Sequence, residues 1–270
     1  MRYFVVSDGH GYYSLIEEAL RKAGFFEDPN NVLIFCGDTL DRGKEAIKMV
    51  SFLLKLKEEG RLILIQGNHE DLLVQCLQSI ASGNIYEIAS GMSHHYRNGT
   101  WDTLLQLARM NDRDALDYPA MLIERVRNSP FYRELLPFAR DYYETENYVF
   151  VHGWIPSLME GYPYNATFRF LPNWREADTD LWYRARWNNG IELACKHKIL
   201  ETGKTIVCGH WHASYGHANY GNQGTESGKD AIYTPFSAPG ILAIDGCTAR
   251  SGIVNCVVIE DEPLKNEQGC

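Results

Sequence analysis

Val32-Leu33-Ile34-Phe35-Cys36-Gly37-Asp38-Thr39-Leu40-Asp41-Arg42-Gly43 carries the deciding pattern of this chain. An apolar, partly β-branched run reads as a buried strand, and at Gly37 the sequence turns polar within one residue. The same switch recurs on both sides. Tyr3–Ser7 runs into Asp8-Gly9-His10-Gly11, and Leu62–Gln66 into Gly67-Asn68-His69-Glu70. Tyr148–Val151 runs into His152-Gly153, and Thr205–Cys208 into Gly209-His210-Trp211-His212. Ile241–Ile244 and Asn255–Ile259 read as two further strands, joined by a turn-rich link that predicts an antiparallel pair.

Helical patterns over Ser14–Ala23, Lys44–Glu59 and Asp71–Ser82 fall between the early strands. Strand alternating with helix implies βαβ units and a largely parallel sheet, an α/β class. The stretch from Thr100 to Arg140 reads mostly helical, broken at Pro119, Pro130 and Pro137. The organisation expected is one domain over residues 1–270 with a helical insertion at about 83–145. Pro156–Thr179 and His217–Asp230 read as loops.

Ligands of α/β sheets bind beyond the C-terminal ends of the strands. Five strand ends therefore bring Asp, His, Asp, Asn, His and His to one rim, with glycines allowing the sharp turns. Alone, each motif also fits a capped turn; their order along the chain makes the case. Mixed carboxylate, imidazole and amide donors suit divalent Mn, Fe, Zn or Co. The set is too large for one four-coordinate ion and suits two ions sharing a carboxylate, the arrangement that clamps an in-line displacement at phosphorus.

Composition narrows the partners. The 270 residues carry a formal net charge of −9, against a general binder of nucleic-acid backbones. No apolar run approaches a membrane span of roughly 20 residues, and charge at Asp8 comes too early for an export segment. The 7 cysteines form no CxxC pair and read as reduced core thiols of a cytoplasmic protein.

These motifs, from Arg2 to about Ile259, resemble the calcineurin-like metallophosphoesterase superfamily, and within it the bacterial type of the phosphoprotein phosphatase family. The resemblance implies a β-sandwich flanked by helices (α/β/β/α) with a dinuclear metal site at the strand ends. Asp8 and His10 match ligands of a first ion, Asp38 the bridging carboxylate, and Asn68, His152 and His210 ligands of a second. His69 is similar to the acid that protonates the leaving alkoxide, Asp41 to its orienting carboxylate, and Arg42 to an arginine gripping phosphate. Asn68 and His69 also adjoin the phosphate in that scheme. Asp180-Leu181-Trp182-Tyr183-Arg184 resembles a Leu-Trp-x-Arg segment whose arginine contacts phosphate, with Arg186 as competitor.

Two departures stand out. The phosphoprotein phosphatases have Gly-His-Thr where this chain has Gly-His-Trp-His, and a second histidine is the habit of the wider superfamily. In an extended segment His210 and His212 would share a face, which makes His212 a candidate seventh ligand. Thr100 stands where bacterial members carry a second glycine, in Tyr96-Arg97-Asn98-Gly99-Thr100.

The function expected is a phosphoester hydrolase using metal-bound hydroxide, a serine/threonine phosphoprotein phosphatase-like phosphomonoesterase. Diadenosine polyphosphates or other nucleotides are the alternative substrates, and a non-catalytic scaffold is the alternative from another class. The cofactors expected are two divalent ions, Mn ahead of Fe, Zn, Co or Ni. The partner is a phosphorylated protein or small phosphoester, with no extended nucleic acid and no membrane.

Overall fold

Alternate residues of the same strands bury against different layers. Tyr3 and Val5 of β1 (Arg2–Val6) join one apolar cluster, whereas Phe4 and Val6 join another. In β2 (Val32–Cys36), Val32, Ile34 and Cys36 face the first cluster and Leu33 and Phe35 the second. Both faces of these strands are therefore covered, which is why they read as unbroken apolar runs. The structure is a computed structural model that describes residues 1–161 and 167–264.

Two sheets supply the shared cluster. The first has the order β11-β1-β2-β3, with β3 at Leu62–Ile65 and β11 at Val257–Glu260. The second has the order β4-β5-β8-β10-β9. Its strands are Tyr143–Glu144 (β4), Tyr148–Phe150 (β5), Thr205–Cys208 (β8), Phe236–Ala238 (β9) and Ile241–Ala243 (β10). β6 (Ser157–Glu160) and β7 (Thr167–Phe170) form a separate antiparallel pair. Phe150, Val207 and Ile244 point from the second sheet toward Tyr3, Val5 and Ile34 of the first, the side-chain layer of a sandwich.

Helices close both outer faces. Tyr13–Ala23 crosses over between β1 and β2 and Ala46–Glu58 between β2 and β3, and Asn68–Ala81 follows β3. The helices between Ile85 and Arg127 bury Ile88, Trp101, Leu104, Leu122 and Val126 in that same outer cluster. On the other side, Trp154, Trp174, Trp182 and Ile191 pack under the second sheet. Burying each such large side chain contributes about 1.5–3 kcal/mol before entropy is subtracted. The expected α/β/β/α layering is the observed one.

The last two strands depart from the sequence reading. β10 pairs in parallel with β8 and antiparallel with β9, while β11 pairs antiparallel with β1 in the other sheet. The reason is that β1 needs a partner on the edge not taken by β2, and β9 already covers the edge of β10. The connection between Asp245 and Cys256 thus crosses from one sheet to the other at the strand-end rim. The segments read as loops also hold structure: Pro156–Thr179 contains β6 and β7, with residues 162–166 outside the described residues, and Ala213–Asn219 is helical. The six described cysteines are unpaired thiols, and among the described residues no helix is long and apolar enough to cross a membrane.

Arg186 ties the two helical layers together. Its side chain is 5% exposed; Nε meets Asp71 Oδ2 at 2.7 Å, and Nη1 meets Asp141 Oδ1 at 2.6 Å. Removing the guanidinium leaves the mostly buried Asp71 carboxylate with the Gln66 amide, at 2.7 Å, as its remaining side-chain donor. Arg186→Met is expected to cost about 2–4 kcal/mol of stability in urea unfolding. Arg186→Lys should recover only part, because an ammonium cannot bridge two carboxylates as a planar fork does. A loss below about 1 kcal/mol would make this an ordinary surface pair.

Candidate metal centre

The turns that follow the strands are zipped to one another. Asp8 N–H donates to the Gly37 carbonyl at 3.1 Å and His10 N–H to the Asp38 carbonyl at 2.9 Å. Across the sandwich, Gly209 N–H donates to the His152 carbonyl at 2.8 Å. The pairing of the strands is thereby carried past their ends, and it places the polar residues side by side. Among the described residues ten non-glycines have left-handed φ, and seven stand in these turns: Asp8 (51°), His10 (45°), Asp38 (56°), Asp41 (76°), Arg42 (65°), His210 (64°) and Cys247 (56°). Such backbone costs energy and concentrates where geometry is dictated by function. Close approach also requires glycine at two points. A Cβ on Gly67 would stand 2.3 Å from Asp38 Oδ1, and one on Gly209 would stand 2.1 Å from Asp8 Oδ2.

Asp38 lies at the centre, 2% exposed. Ligand atoms gather there in two groups, His10–Asp38–His69 and Asp38–His152–His210, each with its atoms within 4.8 Å of one another. Asp38 belongs to both. Burial alone would raise its carboxyl, but His152, His69 and His10 outweigh burial and hold it well below the usual range. Its Oδ1 accepts from His69 N–H at 2.9 Å.

The imidazoles are oriented by backbone carbonyls. His10 Nδ1 donates to the Leu40 carbonyl at 3.2 Å and His152 Nδ1 to the Cys36 carbonyl at 2.8 Å, and His210 bonds the Trp187 carbonyl. The Nε2 of His10 then faces the cavity and that of His152 turns toward Asp38 and Asn68, with Nδ1 held by a carbonyl in the way metal-ligating histidines are held. His152 Nε2 meets Asn68 Oδ1 at 2.8 Å and Asp38 Oδ1 at 3.3 Å. Although burial disfavours its charge, Asp38 and Asp8 push His152 up to about 10. Burial, and after it the charge of Asp38, raise Asp8 to about 6. Burial pushes Asp245, beside Asp8, up to about 8.

These acceptors draw positive charge. In the first group the Arg42 guanidinium supplies some, with Nη1 2.6 Å from His10 Nε2 and Nη2 3.2 Å from His69 Nε2. Oxygen and imidazole donors converging around a cation fit a pair of divalent ions.

His69 has a different second partner. Its Nδ1 donates to Asp41 Oδ2 at 2.7 Å, and the Thr100 hydroxyl donates to the same oxygen at 2.7 Å. Thr103 Oγ1 accepts from Asp41 N–H at 3.1 Å. The helix Thr100–Ala108 thus grips Asp41 from behind. Burial lowers the His69 imidazole, but Asp38 and Asp41 carry it above its ordinary value.

Most residues named from the sequence come together here, and some take other places. Asp8 is in neither ligand group; its Oδ2 accepts from His210 N–H at 3.0 Å. His212 lines the cavity, but His210 is left-handed rather than extended, so the alternation argued for that segment does not apply. His212 Nε2 lies 3.5 Å from Glu226 Oε1. Arg184 is exposed in a neighbouring groove with Leu158, Met159 and Phe168, and it does not line this cavity. Arg186 is occupied by its two carboxylates.

Other residues of the site escaped the sequence reading. Glu70 accepts from the N–H groups of Gly67 (2.7 Å), Asp38 (3.0 Å) and Thr39 (3.0 Å) and from the Thr39 hydroxyl (2.7 Å). One buried carboxylate therefore fixes both the Asp38 turn and the first turn of the helix Asn68–Ala81. Its position three residues after Gly67 is a capping signal legible in the sequence. Arg97, Asn98, Trp187, Asp245, Cys247 and Arg250 complete a cavity of about 430 Å³.

A family model described as calcineurin-like phosphoesterase matches residues 1–225. The chain belongs to the calcineurin-like phosphoesterase family. That is a divalent-metal phosphoesterase family, and the His/Asp groups around Asp38 lie within the matched residues. Among curated relatives, the bis(5'-nucleosyl)-tetraphosphatase PrpE [asymmetrical] of Oceanobacillus iheyensis is 24% identical over 178 residues, 63% of this chain and 63% of that one. The protein of the same name from Bacillus velezensis is 24% identical over 139 residues, 49% of this chain and 51% of that one. Serine/threonine-protein phosphatase 2 of Escherichia coli is 33% identical over 88 residues, 33% of this chain and 37% of that one. In each case the match spans less than two thirds of the relative. A solved cold-active protein tyrosine phosphatase superposes with a TM-score of 0.51 at 14% identity, covering 96% of this chain and 73% of that one, a likeness of fold.

Because Asp38 is common to both groups, Asp38→Asn is expected to weaken two sites at once, each by at least about ten-fold in a calorimetric Mn titration. Retention of one site at wild-type affinity would mean that the carboxylate serves a single ion.

Proposed function

We propose that this protein, a single domain with its helical segment inserted at about 83–145, is a phosphoester hydrolase of the serine/threonine phosphoprotein phosphatase type, acting on phosphomonoesters. The observation that carries the reading is one buried carboxylate, Asp38, shared by two groups of ligand atoms beside a His69–Asp41 pair. Asp8, His10 and Asp38 would hold one ion and Asp38, Asn68, His152 and His210 the other, with Mn first among the candidates. Such a pair, when bound, polarises the phosphoryl oxygens and lowers the pKa of water.

The chain's own residues do the rest. Arg42 presents a planar fork to phosphate oxygens. Its Nη2 lies 3.2 Å from His69 Nε2, and a guanidinium drawn onto phosphate would leave that nitrogen free to carry a proton. His69 keeps its Nδ1 proton on Asp41 and delivers the Nε2 proton to the departing alkoxide oxygen. The upward shift of His69 supports that role, since the acid must be protonated near neutral pH. Hydrolysis of dinucleotide polyphosphates is the second reading, favoured by the activity for which the Oceanobacillus and Bacillus relatives are named. The scaffold reading is disfavoured because none of the expected ligand residues is missing from the sequence.

A substrate panel on Mn-loaded protein tests this, with phosphopeptides, phenyl and p-nitrophenyl phosphate, a phosphodiester and diadenosine tetraphosphate. No turnover of any of them would sink the enzyme reading. His69→Asn should lower turnover of phenyl phosphate by roughly 10²–10⁴-fold and that of p-nitrophenyl phosphate much less, since a good leaving group needs little protonation. Equal losses would contradict the acid role.

His212 is resolved by metal titration of His212→Ala. If it ligates, one site weakens and excess Mn restores part of the activity. Wild-type affinity at both sites would leave His212 as a cavity wall held by Glu226.

A further inference from the structure

The His69–Asp41 pair is held by a residue outside both groups of ligand atoms. Asp41 is buried on left-handed backbone, and its Oδ2 accepts two hydrogen bonds. One comes from His69 Nδ1 at 2.7 Å and the other from the Thr100 hydroxyl at 2.7 Å. Its Oδ1 is buried with no hydrogen-bond partner among the described residues. The orientation of the carboxylate therefore rests on Oδ2 alone. One donor fixes a distance and leaves the group free to turn about that contact; a second donor from another direction stops the turn.

The local structure puts Thr100 in this place. Gly99 precedes it, and a Cβ there would stand 2.2 Å from the backbone nitrogen of Arg42. With no side chain at that point, the start of the helix Thr100–Ala108 closes onto the Asp41–Arg42 turn. Thr100 and Thr103, both fully buried, lie one helical turn apart on the same face. Thr103 Oγ1 accepts from the Asp41 N–H at 3.1 Å while Thr100 donates to the carboxylate, so one helix holds the residue by backbone and side chain together. Trp101 and Leu104 root that helix in the outer apolar cluster. Branching at Cβ restricts the rotamers of Thr100, which keeps the hydroxyl in place before substrate arrives.

We propose that Thr100 is a positioning residue for the proton-transfer step: by pinning Asp41 Oδ2 it keeps the His69 imidazole aimed at the departing oxygen, and so sets how well the site handles poor leaving groups. The inference rests on the phosphoester-hydrolase reading and deepens it. As a water oxygen bonds to phosphorus and the bond from phosphorus to the alkoxide breaks, the electron pair goes to the alkoxide oxygen, which takes the His69 Nε2 proton. The proton given up by the water balances the one taken from His69. An alkoxide needs that proton, and p-nitrophenolate hardly does. Without the Thr100 hydroxyl the buried carboxylate keeps a single donor; it turns toward other donors and takes the imidazole with it.

The test compares Thr100→Val, which keeps the shape and removes the hydroxyl, with Thr100→Ser, which keeps the hydroxyl. On Mn-loaded protein, Thr100→Val should lower turnover of phenyl phosphate about ten-fold, the scale of one charge-assisted hydrogen bond. The loss with p-nitrophenyl phosphate should stay below about two-fold. Thr100→Ser should hold phenyl phosphate turnover within about three-fold of wild type. Thr100→Ala, with no second methyl against Asp41, should give the same ratio of losses as Thr100→Val. Added to His69→Asn, Thr100→Val should cost less than about two-fold more, because the hydroxyl acts only through the imidazole. A merely structural role would slow both esters alike. Equal losses on the two esters, multiplying losses in the double variant, or a Thr100→Ser variant as slow as Thr100→Val each overturn the proposal. The His69 Nδ1 proton judges it without turnover. In protein loaded with diamagnetic Zn, its NMR resonance should exchange slowly with water in wild type and Thr100→Ser and be broadened by exchange in Thr100→Val. An unchanged resonance overturns the positioning role even where no ester is hydrolysed, whereas wild type without turnover strikes only the enzyme reading.

Discussion

The Asp38 carboxylate is the constraint from which the rest of the architecture follows. A buried anion must be met by positive charge and hydrogen bonds or it will not stay ionised. Here three imidazoles face it, a backbone N–H binds Oδ1, and Glu70 holds the peptide on which it sits. Those partners come from both sheets. The position of Asp38 therefore depends on how the two sheets stack, and the stacking is set by Tyr3, Val5, Ile34, Phe150, Val207 and Ile244 in the layer between them. A change in that apolar layer is felt at the cavity as a change in which imidazole reaches which oxygen.

The parts of this arrangement that were legible in the sequence share one property: they lie at fixed short offsets from apolar runs. Asp8, Asp38, Asn68, His152 and His210 each follow a strand buried on both faces, and such strands announce themselves as continuous apolar segments. β4, β6, β7 and β9 did not announce themselves. They are two to four residues long, and Glu144, Glu160 and Arg169 interrupt their pattern. Partnering was equally hidden. Nothing local in Ile241–Ile244 or Asn255–Ile259 says that they belong to different sheets; that follows from which strand edges remain open once the parallel core has formed.

The limits at the site have a similar origin. The resemblance offers Arg184 and Arg186 as alternatives, and helix geometry turns them to different surroundings, Arg184 toward a separate groove and Arg186 toward Asp71 and Asp141. Arg97 and Arg250 are far apart in sequence and meet one cavity only because a short helix and a crossing connection converge on it. Thr100 shows the converse. Its departure from the bacterial glycine was visible, but its meaning lay in a hydroxyl that reaches the oxygen of Asp41 already bonded to His69.

The left-handed backbone of the strand-end turns has a consequence for how such a centre can change over time. Asp and His are among the few non-glycine residues that tolerate that conformation, and they are also the residues that bind divalent ions. At Asp8, His10, Asp38 and His210 one small set of side chains thus satisfies two independent demands. A substitution by a β-branched residue at any of them meets a steric penalty before its chemistry is tested. Exchange within the Asp, Asn and His group leaves the chain path intact and alters only the donor atom. The loops of this fold therefore offer a route for swapping one metal preference for another in single steps, without refolding the turn that carries it.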